Sequence, residues 1–127
     1  MKNSYIENIS KEFNYYKSLG ENTFKQLSDS ELQWAPNQDS NSIAIIVKHL
    51  SGNMLSRWTN IFLEDGEKPW RLRDEEFVIE TSNKDTVLKQ WNSGWTCFFN
   101  TLNRLDSTDL NKVIYIRLIK DIQSWKL

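Results

Sequence analysis

The chain holds one histidine, His49, and one cysteine, Cys97. These two side chains are the best suited to bind a transition metal or attack an electrophile. His49 lies within "SNSIAIIVKHLSGNMLSRWTN", residues 40–60, beside an apolar stripe and in line with Asn53, Ser56 and Asn60. On spacing alone it reads as a histidine hydrogen-bonded at a core edge. A catalytic zinc site takes three protein ligands, each about 2.0–2.3 Å away, plus an open position. Asp106, Asp109 and Asp121 show no ligand spacing with His49. Cys97 adjoins Phe98 with no basic residue near it in sequence, so it reads as a small hydrophobe rather than a nucleophile.

Two further groups carry chemistry-bearing side chains. Trp58, Trp91 and Trp95 fall at helical spacing, which makes them core residues in the first instance. With Asn53 and Ser56 they also outline a metal-free pocket between two helices. "KPWRLRDEEF" offers Lys68, Arg71 and Arg73 to an anion. The structural alternative is a loop tied down by its own mixed charges, with Trp70 and Phe77 packing inward.

These residues need helices to position them. Ile6, Ile9, Phe13, Tyr16, Gly20, Phe24 and Leu27 repeat by three and four, which predicts a first helix over about 3–28. Ser28-Asp29 leads a short turn, and Pro36 with an Asn/Asp/Ser cluster marks a loop. Asn41 or Ser42 caps a second helix, about 41–64, whose stripe is Ile43, Ile46, Val47, Leu50, Met54, Trp58 and Ile61 and which stops near Asp65-Gly66. Val87, Leu88, Trp91, Trp95, Phe98, Leu102 and Leu105 predict a third helix over 84–105. The connection 65–83 is far longer than the roughly two to eight residues that join antiparallel neighbours. It predicts a crossover running the length of a bundle, with helices 2 and 3 parallel. The tail, 111–127, begins with the extended-looking "VIYIR".

The totals restrict the class. A chain of 127 residues fits a single domain spanning 1–127. Its formal net charge of −1 gives no basic excess for nucleic acid or an anionic membrane. Aromatic residues at 13% argue for a packed core. A lone cysteine forms no internal disulfide, and neither a signal peptide nor a membrane span is visible. A cytoplasmic location is expected.

"LSDSELQWAPNQDSNSIAIIVKHLSGNMLSRW" and "DGEKPWRLRDEEF" resemble the DinB-like superfamily, the second stretch pointing to a bacterial branch of unknown function. The resemblance covers roughly residues 3–117. It implies an all-α, up-down-down-up four-helix bundle holding a divalent metal, zinc or nickel, on three histidines. One of these lies on helix 2 and two lie four residues apart on helix 4. Relatives in the superfamily include bacillithiol and mycothiol S-transferases. His49 matches the helix-2 ligand, and the helix-4 pair has no counterpart here.

Where the superfamily opens helix 4, this chain reads "LIKDIQSWKL". An alternative reading frame of these codons permits Arg-His-Thr-Val-Met-Glu-Ala. The expectation is therefore a frameshifted or truncated member whose fourth helix is missing or replaced by a short stub. Ile116, Ile119, Ile122 and Trp125 offer spacing for an improvised helix. Exposed inner faces forgo about 1.5–3 kcal/mol per large apolar side chain, which favours a homodimer. The functional expectation is an inactive descendant of a metal-dependent thiol-transferase-type enzyme, with no cofactor in this chain and His49 a vestigial ligand. The alternatives are a non-enzymatic dimerisation module and a metal-free bundle binding a small molecule.

Overall fold

The computed structural model of the chain describes residues 4–78, 82–117 and 122–126. It is all-α in class, with helices α1 (Ser4–Lys25), α2 (Asp29–Leu32), α3 (Ile43–Trp58) and α4 (Lys84–Leu102), followed by strands β1 (Val113–Arg117) and β2 (Ile122–Lys126). Single 3-10 turns occupy Asp74–Phe77 and Asp109–Asn111.

Local chemistry explains where each helix stops. Helix α1 ends at Lys25, short of the expected 28, because Ser28 begins a new capping box: its hydroxyl accepts from Glu31 N and the Glu31 carboxylate accepts from Ser28 N. Helix α3 starts where Ser42 Oγ accepts from Ile45 N at 3.2 Å. It ends at Trp58, well before the expected 64, because Thr59 turns extended at ψ 121° and Asn60 follows at φ 49°, which together break the helical ladder. Helix α4 is capped by Asn83, whose Oδ1 accepts from Thr86 N at 2.8 Å. It stops at Leu102 rather than 105, the chain tightening there through Arg104 N to Thr101 O and Leu105 N to Leu102 O.

Helices α3 and α4 run parallel. Going down both chains together, Gly94 meets Ser51 and Met54, Cys97 Sγ meets Met54 O at 3.8 Å, and Thr101 Oγ1 donates to Trp58 O at 2.7 Å. Helix α1 is antiparallel to them: Phe24 packs edge-on to Trp91 at 4.9 Å, while Phe13 reaches Trp95 and Phe98 at 6.1 and 4.8 Å. The crossover is therefore needed to return the chain to the starting end. Phe98 joins the helices, packing on Trp58 at 4.6 Å as well as on Phe13. Phe13, Tyr16 and Leu19 of α1 remain exposed, as do Ile46 and Leu50 of α3.

The improvised C-terminal helix is not formed. β1 and β2 pair antiparallel from Val113↔Lys126 to Arg117↔Ile122, as the β-branched "VIYI" run favours. Ile119 and Asp121 lie outside the described residues. The hairpin is fastened to the crossover by Gly66 N donating to Tyr115 O at 2.6 Å and Arg117 N to Asp65 Oδ1 at 2.8 Å. Among the described residues no helix is long and apolar enough to cross a membrane.

Candidate functional site: a clasp around His49

At 100° per residue, Val47, Ser51 and Met54 face α4, which turns His49, Gly52 and Ser56 to the opposite side of α3. The crossover folds back over that side. Glu76 is buried there at 6% exposure, and its carboxylate joins three groups. Oε1 pairs with His49 Nδ1 at 3.1 Å and accepts from Arg71 Nη2 at 3.0 Å; Oε2 accepts from Arg71 Nε at 3.0 Å. Gly52 makes room for this carboxylate, since a Cβ at that position would collide with Glu76 Oε2. Phe77 lays its ring 5.0 Å from the imidazole, and Lys48 Nζ donates to Glu75 O at 2.9 Å.

A second buried polar knot lies two turns further along. Ser56, with no exposed surface, donates to Gly66 O at 2.5 Å and accepts from Lys68 N at 3.0 Å. Lys68, 3% exposed, donates from Nζ to Ser56 O and Asp65 O, both at 2.7 Å. It thus satisfies a carbonyl left open at the end of α3. Burial lowers the Lys68 ammonium from its ordinary range, with Glu64 and Asp65 pulling the other way. Arg57 Nη1 donates to Gly66 O at 2.7 Å and to Glu67 Oε2 at 2.9 Å. Arg71 Nη1 is left buried without a hydrogen bond, 3.9 Å from Glu67 Oε2.

The candidate residues thus separate. Trp91 and Trp95 are core, with Trp91 Nε1 donating to Glu21 at 3.2 Å, and Trp58 packs against that core. Ser56 belongs to the knot behind α3. Asn53 stands one turn beyond His49 on the same flank. Cys97 is half-buried between α3 and α4, its Sγ 3.4 Å from Thr59 Oγ1. In the "KPWRLRDEEF" loop the mixed charges do tie the segment down, but Trp70 and Phe77 are 55% and 41% exposed rather than packed inward. The charged side chains Arg71 and Glu76 took the interior places, where they satisfy one another. Spacing in the sequence did not reveal this clasp. The one signal for it is Gly52, a residue that weakens a helix interior unless something must come close.

An open cleft of about 350 Å³ separates the first turns of α3 and α4. Ser42 and Lys48 line one wall, Asn83, Thr86 and Gln90 the other, and Gln33 borders it while holding both backbone polar groups of Ser82. None of the five pocket candidates from the sequence lines it.

The resemblance implies a three-ligand metal centre, and the residues present do not fit one. Among the described residues no three His, Cys, Asp or Glu side chains gather in a group that could hold a metal ion. The carboxylate nearest His49 is already committed to Arg71 on both oxygens. No curated protein and no solved structure matches the chain. A family model described as a protein of unknown function, DUF1572, matches residues 1–121, and the chain therefore belongs to the DUF1572 family.

Proposed function

We propose that this chain is a DinB-like bundle that works as a metal-independent, small-molecule-binding module, its thiol-transferase-type metal chemistry having been lost. One observation supports this reading above the others: the single imidazole is clasped by Glu76, whose other bonds go to Arg71, and among the described residues the two belong to no group of three that could hold a metal ion. The cleft between α3 and α4 gives a small polar molecule room without calling on a metal. Elemental analysis of the purified protein tests the reading. It predicts no stoichiometric zinc or nickel, and a melting temperature unchanged by chelator. A divalent ion bound one per chain and lost in His49→Ala would refute it.

A second reading, homodimerisation, is favoured by the exposed stripe Phe13, Tyr16 and Leu19 along α1. A second copy laid against that stripe would remove apolar surface worth roughly 25 cal/mol per Å². Light scattering at several concentrations tests it, and a well-folded monomer throughout would end it.

A further inference from the structure

The clasp uses only one nitrogen of His49. Nδ1 faces Glu76 Oε1 at 3.1 Å. Arg71 pairs both oxygens of that carboxylate, so the carboxylate is an acceptor and the proton of the neutral imidazole belongs on Nδ1. Nε2 then carries the lone pair. It has no hydrogen-bond partner among the described residues, and it is absent from the buried polar atoms without one, which are Arg71 Nη1 and Trp95 Nε1. The His49 side chain is 29% exposed, and Nε2 is its oriented, unused acceptor.

Its surroundings are specific. Ile46 lies one turn before His49 and is 45% exposed, and Leu50, beside Ile46 on the next turn, is 39% exposed. The Phe77 ring closes the other side at 5.0 Å. Asn53 stands one turn after His49 on the same flank, a half-exposed carboxamide with no side-chain hydrogen bond among the described residues. A lone acceptor, an amide about one helical turn away and an apolar rim suit one class of molecule.

We propose that His49 Nε2 and Asn53 form a binding site for a small neutral molecule that bears an N–H or O–H donor next to a carbonyl on an apolar body. The donor meets Nε2, the carbonyl meets the Asn53 amide, and the apolar body rests on Phe77 and Ile46. Glu76 is the positioning residue that selects the tautomer. This proposal shares with the reading above only metal-free binding of a small molecule, which it places on the His49 flank of α3 and not in the cleft; its test reads the imidazole and not the metal content, so the two fail separately.

His49 is the only histidine, so a long-range proton–nitrogen correlation spectrum of the intact protein contains one imidazole. In the neutral form the Nδ1–H tautomer should dominate, the reverse of free histidine. Benzamide should then move the Nε2 resonance as it is titrated in, while N,N-dimethylbenzamide, which lacks the N–H, should leave it in place. A dominant Nε2–H tautomer would overturn the proposal. So would benzamide without effect, or the two amides acting alike.

Discussion

Gly52 and Glu76 are matched: the missing side chain of one is the space filled by the carboxylate of the other. In an ordinary helix interior, glycine to alanine stabilises by roughly 0.5–1 kcal/mol. Here the new methyl would push Glu76 off His49 and strain its pairing with Arg71. Gly52→Ala should therefore destabilise, by about 1–3 kcal/mol as overpacking does, in urea unfolding. In a Glu76→Ala background the same change should turn neutral or stabilising, because the obstruction has gone. A stabilising Gly52→Ala in the unaltered chain would show that the carboxylate is not held there.

Gly94 plays the corresponding part in the α3–α4 crossing. A Cβ there would stand 2.8 Å from Met54 Cε and 2.9 Å from Ser51 Cα. The methionine end can yield, but the backbone of Ser51 moves only if the helices separate. Gly94→Ala is expected to cost about 1–3 kcal/mol despite its better helix propensity. Because the parallel packing supports Trp58 and Phe98 as well, near-ultraviolet circular dichroism of the tryptophans should change with it.

Much of this arrangement was readable in the residues. The repeats by three and four located α1, α3 and α4 because helix formation answers to a stripe that must be buried. The long crossover announced parallel helices because no short loop can return a chain to the end where it began. Helix ends were less legible, since α3 stops at an extended Thr59 followed by a left-handed Asn60, conformations that these residues permit without requiring. The clasp was least legible of all. Its partners Arg71 and Glu76 sit 22 and 27 positions beyond His49, and whether such charges face water or each other is decided by how the crossover lies on α3.

Arg71 shows what that burial costs to disturb. Its side chain is 1% exposed and holds both oxygens of Glu76. Removing one partner of a buried ion pair leaves the other uncompensated, typically at about 3–5 kcal/mol. Arg71→Ala should fall in that range by chemical denaturation, whereas Arg73→Ala, which changes an exposed residue, should stay within about 0.5 kcal/mol. Equal effects from the two would contradict the clasp.

Asp65 fastens the tail hairpin to the crossover. Burial pushes its carboxyl up, but the N–H groups of Arg117 and Glu67 and the charges of Arg117 and Lys68 hold it below the ordinary 3.8 overall. A carboxylate depressed in the folded state adds stability that is present above 3.8 and lost as pH falls through its folded value. Asp65→Asn should flatten the acid limb of the stability curve. In native-state hydrogen exchange the Arg117 amide, bonded to Asp65 Oδ1 at 2.8 Å, should exchange faster in Asp65→Ala. An unchanged rate would mean that β1 is fastened to the crossover by Gly66 N–H and not by Asp65.

Lys68 gives the opposite pH dependence. Burial lowers its ammonium below the ordinary 10.5. Between the folded value and 10.5 the unfolded chain binds more protons than the folded one, so the lysine's contribution becomes more favourable as pH rises through that interval. The neutral amine still donates to Ser56 O and Asp65 O. Lys68→Met removes this term but keeps the stem that packs against α3. The stability of the unaltered chain relative to Lys68→Met should therefore grow between neutral pH and about pH 10. A difference that stays flat or shrinks over that range would mean that Lys68 is solvated as an ordinary surface lysine, contrary to its buried place where the crossover meets α3.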